Sequence, residues 1–141
     1  MIAIGALAKR TGVKVPTIRY YEQAKLLDEP ERTSGNQRRY SERDVERLSF
    51  IRHARDLGFP IEAIRELIEM SDHPDRPCND ANRIADEQLA AVRARIARLK
   101  RLESELERIA SGCSANIAAQ CYVLNALSDH SQCEGDHGQS I

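Results

Sequence analysis

The residues best suited to chemistry in this sequence are its four cysteines. Cys113 and Cys121 lie near the C-terminus with seven residues between them, Cys78 lies upstream, and Cys133 is in the last stretch of the chain. Thiolates are soft donors that select ions such as Zn, Cd, Pb, Hg or Cu(I). Three explanations are open from the residue types: a metal site, a redox disulfide, or small apolar side chains in a core.

The start of the sequence bears on the choice among these explanations. It lacks the basic start, apolar stretch and small-residue cleavage site of a signal peptide. No window approaches the ~18 apolar residues of a membrane span, so we expect a cytoplasmic protein with no membrane partner. A structural disulfide is disfavoured in that reducing compartment, and clustered cysteines there favour metal binding or redox sensing.

Other candidate sites are weaker. His130, Cys133 and His137 form a second group of metal-binding side chains, but in a polar tail such a group is usually incidental, so we expect at most an auxiliary metal site. The sequence has no GxSxG, no Gly-rich phosphate loop and no HExxH, so we do not expect an enzyme.

The element that must position the cysteines is a long helix. Residues 80–111 contain no Gly or Pro, and an unbroken helix of that length would span about 48 Å. One narrow apolar stripe so long needs a partner helix, which predicts a coiled-coil homodimer. Its apolar residues recur at steps of three and four: Ala85, Leu89, Val92, Ile96, Leu99, Leu102, Leu106 and Ile109.

An antiparallel arrangement of that dimer would assemble the cysteines. Cys78 and Cys113 are 35 residues apart, about 50 Å along a helix, so one chain cannot gather all three thiols. In an antiparallel pair, the start of one helix lies beside the end of the other. Cys78 would then approach Cys113 and Cys121 of the partner subunit, and two-fold symmetry would create two such sites.

The N-terminal part of the sequence has a different character. Residues 1–60 contain 12 Lys/Arg against 8 Asp/Glu, whereas the remainder contains 9 against 14. This asymmetry suits a nucleic-acid-binding head on a separate body, although a chance division of surface charge would also produce it. Two short helix patterns separated by Thr11-Gly12 predict a helix-turn-helix, and Ser34-Gly35-Asn36 predicts the tip of a two-stranded wing.

Hydroxyl and guanidinium groups at these elements are the candidates for DNA contact. On the second helix they are Thr17, Arg19 and Tyr20, and we expect one of the two adjacent tyrosines to point inward. On the wing they are Arg38, Arg39 and Tyr40, placed for phosphate contact.

The expected fold is mainly α: a winged helix-turn-helix head followed by a long helix that forms an antiparallel coiled-coil dimer. The predicted parts are a DNA-binding domain (1–71), a linker loop (72–79), a dimerisation helix (80–111), a metal-binding loop with a short helix (112–127) and a flexible tail (128–141).

Two stretches carry a family resemblance. IGALAKRTGVKVPTIRYYEQAKLL and RTSGNQRRYSERDVERLSFIRHARDLGF resemble the MerR family of transcriptional regulators, and the resemblance extends from residue 2 to about 127. It implies a homodimer on a palindromic operator between two promoter elements set too far apart for RNA polymerase. The protein without its effector would repress, and effector binding would underwind the DNA and realign the elements.

Within the family, the cysteines resemble those of the metal-sensing branch. Cys113 and Cys121 match the two cysteines that flank its metal-binding loop. Copper(I) sensors usually carry Ser at the position of Cys78, whereas divalent-metal sensors carry Cys there. The resemblance therefore implies a divalent ion held by Cys78, Cys113 and Cys121 across the dimer.

The choice of ion rests on the loop. Zinc sensors typically have a second Cys after the first loop cysteine and a His in the loop, but here Ser114 follows Cys113 and no His occurs from 114 to 120. Mercury sensors usually have a slightly longer loop. Three thiolates without nitrogen favour Cd, Pb or Hg. The stretch PDRPC and the Cys and His content of the tail resemble those of cadmium- and lead-responsive members, so the resemblance implies Cd or Pb first, then Zn, then Hg. Two other functions remain open: a thiol redox or electrophile sensor on the same scaffold, and a metal-sequestering protein.

Overall fold

The structure, a computed structural model, describes residues 1–112 and 122–128. They form six helices and two short strands within the described ranges, which confirms the mainly α architecture with a two-stranded wing and a long helix. In chain order these are α1 (Ile4–Thr11), α2 (Val15–Gln23), β1 (Glu31–Arg32), β2 (Arg38–Arg39), α3 (Glu42–Asp56), α4 (Ile61–Ser71), α5 (Asn79–Ser111) and α6 (Tyr122–Ser128).

Helices α1 and α2 form the predicted helix-turn-helix. The Thr11 hydroxyl donates to the Leu7 carbonyl at 2.8 Å and closes the last turn of α1. Gly12 then takes a left-handed φ of 73°, which costs glycine nothing, and its N–H donates to the Ala8 carbonyl at 2.8 Å. Pro16 lies in the first turn of α2, where no helix carbonyl needs its missing N–H.

Helix α2 ends earlier than its sequence pattern indicates. The pattern continues through Leu27, but the helix ends at Gln23, and Lys25 has a left-handed φ of 61°. The turn carries Leu26 and Leu27 into the core, where both side chains are almost fully buried. Burial of two leucines outweighs the good helix propensity of the segment.

The wing is a short antiparallel hairpin. Glu31 lies opposite Arg39, and Arg32 lies opposite Arg38. Its tip is closed by hydrogen bonds from the Asn36 N–H to the Thr33 carbonyl and from the Thr33 N–H to the Gln37 carbonyl, both 2.8 Å. The hairpin therefore places its arginines at fixed positions beside the helix-turn-helix.

Helices α3 and α4 complete the core of the head. The Ser41 hydroxyl accepts from the Asp44 N–H, and the Asp44 carboxylate accepts from the Ser41 N–H at 2.8 Å, so a capping box begins α3. The core is mostly apolar, and its fully buried side chains include those of Leu7, Ile18, Leu48, Ile51 and Ile64.

The chain divides into two compact units, Met1–Ala85 and Asp86–Ile141. The first unit extends beyond residue 71, because it includes the loop after α4 and the start of α5. Ile84 is buried there, and the Arg83 guanidinium lies 3.3 Å from the Glu66 carboxylate. The first turns of α5 therefore belong to the head rather than to the body.

In the second unit, α5 exposes several large apolar side chains. Leu89, Ile96, Leu99 and Leu106, called here the α5 stripe, are each at least 41% exposed. Ile109 is buried near the end of α5, and Ala126 is buried in α6. No described helix is long and apolar enough to span a membrane.

Candidate nucleic-acid interface and cysteine site

Four arginines line one groove of the head. Arg19 comes from α2, whereas Arg32, Arg38 and Arg39 come from the wing, and Ala3 and Ile4 at the beginning of α1 also line the groove. We call this the arginine groove. Asn36 and Gln37 also line it, and none of its described lining residues is a carboxylate. Four guanidinium groups in one groove are suited to a polyanion such as a nucleic-acid backbone, and one of them, that of Arg38, also lies 3.7 Å from the Glu22 carboxylate beside the groove.

Hydrogen bonds within the wing orient these arginines. Arg32 Nη1 donates to the Asn36 carbonyl at 3.2 Å, and Arg39 Nη2 donates to the Gln37 side-chain oxygen at 3.4 Å. A guanidinium has five N–H donors, so one such bond leaves the others available to phosphates. Arg32 was not among the residues predicted for DNA contact, although its position opposite Arg38 in the hairpin would have indicated it.

The remaining candidates on α2 are Thr17 and Tyr20, and neither lines the arginine groove. Tyr20 is 53% exposed and Tyr21 is buried, so one tyrosine of the pair points inward as expected. Thr17 lines a second groove with Gly12, Lys14 and Arg52 instead of the arginine groove. The structure therefore brings together Arg19, Arg38 and Arg39, and it places Thr17 apart from them.

The prediction that Tyr40 faces DNA is wrong. Its side chain is 1% exposed, its backbone exchanges two 2.8 Å hydrogen bonds with Ile2, and its hydroxyl donates to Glu22 Oε1. Burial, followed by the hydrogen bond and charge of Glu22, raises the pKa of Tyr40 well above its usual range. Tyr40 stabilises the wing from inside, and Glu22 is a residue of this region that the sequence did not single out.

The positive charge of Arg10, another cation of the head, is neutralised by a carboxylate. Arg10 forms a bidentate pair with Glu42 at 2.6 and 3.0 Å. The hydrogen bond raises the pKa of Arg10 and lowers the pKa of Glu42. Arg10 therefore contributes less positive potential than an unpaired arginine would.

Cys78 lies at the start of α5. The thiol is free and exposed, and the Cys78 carbonyl accepts from the Asn82 N–H at 3.1 Å, which begins the helix. No group of three His, Cys, Asp or Glu side chains within residues 1–112 and 122–128 could hold a metal ion. Cys113, Cys121, His130, Cys133 and His137 lie outside the described residues.

Two family profiles together match most of the chain. The profile described as MerR HTH family regulatory protein matches residues 2–71, and the one described as MerR, DNA binding matches residues 45–109. The first covers the head that contains the arginine groove.

Individual relatives agree with the profiles. The chain is 42% identical over 130 residues to the HTH-type transcriptional regulator ZntR of Escherichia coli strain K12, covering 90% of this chain and 92% of that protein. It is 40% identical over 114 residues to a mercuric resistance operon regulatory protein of Shigella flexneri, covering 81% and 78%.

A solved structure has the same architecture. The transcription regulator PbrR691 from Ralstonia metallidurans CH34, crystallised in complex with lead(II), is 38% identical and superposes with a TM-score of 0.79, covering 90% of this chain and 99% of that one. The profiles and relatives describe regulators of transcription and no enzyme. This chain belongs to the MerR family of helix-turn-helix regulatory proteins.

Proposed function

We propose that this chain is a metal-responsive transcriptional regulator that controls metal efflux or resistance genes from a palindromic promoter operator. The observation that supports DNA binding is the arginine groove, in which α2, the proposed recognition helix, and the wing present Arg19, Arg38 and Arg39 together. The relatives support the metal response, because their names refer to mercuric resistance and one was crystallised with lead(II).

We propose that the protein acts in the cytoplasm as a homodimer. The α5 stripe supports this assembly, since apolar side chains exposed along a helix of 33 residues favour burial against a second copy. Antiparallel pairing would bring Cys78 towards Cys113 and Cys121 of the partner subunit. Three thiolates fit a soft divalent ion. The resemblance of PDRPC and the tail to cadmium- and lead-responsive members favours Cd or Pb over Zn and Hg, and His130, Cys133 and His137 are a possible auxiliary set.

The proposed mechanism couples that site to the head. When bound, the ion would supply positive charge that holds three thiolates close together. Cys78 lies one residue before α5, and the first turns of α5 pack within the head unit. Fixing Cys78 would therefore favour one arrangement of the two heads, in which the dimer underwinds the operator and aligns the promoter for RNA polymerase.

Metal titration of the fully reduced protein tests this function. Thiolate-to-metal charge-transfer absorbance would be followed for Cd, Pb, Zn, Hg and Cu(I) with the unaltered protein and with Cys78→Ser, and Cys133→Ser tests separately whether the auxiliary set contributes. We expect one divalent ion per subunit and binding weakened at least tenfold by Cys78→Ser.

Other results would redirect the assignment. Equal binding by Cys78→Ser would remove Cys78 from the site and favour Cu(I) on two cysteines. Promoter output that changes on thiol oxidation, without metal, would favour a redox or electrophile sensor.

DNA binding is tested separately. The unaltered protein would be used to enrich duplexes from a random-sequence library, and the most enriched one, called here the selected duplex, should be palindromic. A protein that enriches no duplex is not a regulator of this kind, and metal sequestration would become the better assignment.

A further inference from the structure

A single carboxylate of the recognition helix holds two residues at the end of the wing. Glu22 lies on α2 beside the arginine groove, and its side chain is only 8% exposed. Glu22 Oε1 accepts from the Tyr40 hydroxyl, and Glu22 Oε2 lies 3.7 Å from Arg38 Nη1. We call these three residues the Glu22 cluster.

One partner of Glu22 is fixed. Tyr40 is buried, and its N–H and carbonyl both bond to Ile2 at 2.8 Å. A hydrogen bond from such an immobile hydroxyl determines where the carboxylate lies. The other carboxylate oxygen, Glu22 Oε2, is therefore held close to the Arg38 guanidinium.

The other partner lines the arginine groove. The Arg38 side chain is 29% exposed and shares the groove with Arg19, Arg32 and Arg39. Its nitrogen near Glu22 uses one side of the guanidinium, and the remaining N–H groups are available to a phosphate. A long side chain held at one end loses less conformational freedom when it binds.

We propose that Glu22 is a positioning residue for DNA binding: it orients Arg38 towards the phosphate backbone although it is itself negatively charged. The proposal rests on the proposed function, since it takes DNA as the occupant of the arginine groove. The charge alone predicts the opposite effect, because removing an anion beside a phosphate-binding groove should tighten binding. The sign of the effect therefore separates the two explanations.

Glu22→Gln tests the proposal. Glutamine keeps the shape and an acceptor for the Tyr40 hydroxyl, but it loses the charge that attracts Arg38. Affinity for the selected duplex should fall about three- to tenfold, and the slope of log affinity against log salt should decrease by about one, the value of one lost phosphate contact. The thermal unfolding midpoint should change little, whereas a purely structural role would lower the midpoint and leave the salt slope unchanged.

Glu29→Gln is the matched control. Glu29 is exposed and lines a groove with Glu22, Arg32 and Arg38, so its replacement removes the same charge from the same region. Its affinity should stay the same or rise. In an Arg38→Ala background, Glu22→Gln should cause no further loss of affinity, because the residue that Glu22 orients is absent and only the effect of its charge remains.

The outcomes are separable. Equal or tighter binding by Glu22→Gln, or an undiminished loss in the Arg38→Ala background, would overturn the positioning role and leave the proposed function intact. Failure of the unaltered protein to enrich any duplex would overturn both. If Glu22→Gln does not fold, Glu22→Asp keeps the charge with a shorter reach and should show a smaller loss of the same kind.

Discussion

Arg19 is the residue of α2 that lines the arginine groove, and the first prediction concerns it. Arg19→Ala should weaken binding of the selected duplex by about 1–3 kcal/mol if the guanidinium contacts a base edge, as measured by fluorescence anisotropy. Arg65→Ala is the control, because Arg65 is an exposed cation of α4 that does not line the groove. A loss of equal size in both variants would contradict a specific role for Arg19.

Tyr40 gives a pH-dependent prediction. Because burial raises its pKa in the folded state, the folded protein holds this proton more tightly than the unfolded chain, whose tyrosines ionise near pH 10. The stabilisation is complete below about pH 10 and is lost as the pH rises towards the folded-state pKa. Urea unfolding midpoints between about pH 8 and 11 should fall less steeply for Tyr40→Phe than for the unaltered protein. Parallel slopes would contradict this explanation.

The residue types predicted part of the arginine groove. The position of Arg38 and Arg39 directly after a predicted turn was enough to place them on the surface of the wing. A short hairpin has no interior in which a charged side chain could be buried. An aromatic ring with a hydroxyl gives no such indication, since Tyr20 is exposed whereas Tyr21 and Tyr40 are buried. The partner that explains Tyr40 is Glu22, 18 residues away, and no local pattern connects them.

At the scale of elements, the turn between α1 and α2 depends on one glycine. Gly12→Ala should lower the free energy of unfolding by about 1–3 kcal/mol, because alanine is strained at a φ of +73°. The new methyl group would also clash with the Arg52 guanidinium, which donates to the Thr11 carbonyl at 2.5 Å. Chemical denaturation gives the value.

Gly5→Ala is the matched control for that prediction. Gly5 lies in α1 and nothing lies within 4 Å of the position of an added Cβ. The variant should be as stable as the unaltered protein or more stable by up to about 1 kcal/mol, since alanine favours a helix. Equal destabilisation by both changes would contradict the assigned role of the turn.

Local signals predicted most elements of the head. Thr11-Gly12, Pro16 and the Ser41–Asp44 pair act within a few residues, and the corresponding boundaries appear in the structure. The early end of α2 could not be predicted in this way. Its cause is the burial of Leu26 and Leu27 in a core that includes α3 and α4, which only the folded chain brings together.

At the scale of the whole molecule, the proposed dimer depends on the α5 stripe. Leu99→Glu should shift the protein from dimer to monomer at micromolar concentration, since it would place a charge in an apolar interface. Ala97→Glu is the control because it adds the same charge at another exposed position, about 200° around α5 from Leu99. Sedimentation equilibrium distinguishes the two, and dimers of both variants would exclude the stripe as the interface.

The proposed metal site combines residues that are far apart in the sequence and that come from two subunits. The order of Cys78, the long helix and the paired cysteines along the sequence predicts a site shared between subunits. Cys78 is exposed at the start of α5, as that arrangement requires. The ion itself depends on the spacing and orientation of thiols from two chains, which a single sequence does not encode locally.

The exposure of the α5 stripe has a consequence for gene dosage. If separate chains must meet before they can occupy an operator, mass action governs the response. Where most chains are single, the population of pairs follows the square of the chain concentration, so halving protein synthesis would reduce the pairs about fourfold. When growth dilutes the protein, the concentration of dimers would fall faster than the concentration of chains, and repression would weaken accordingly. The output of the promoter would then depend on how recently the protein was synthesised.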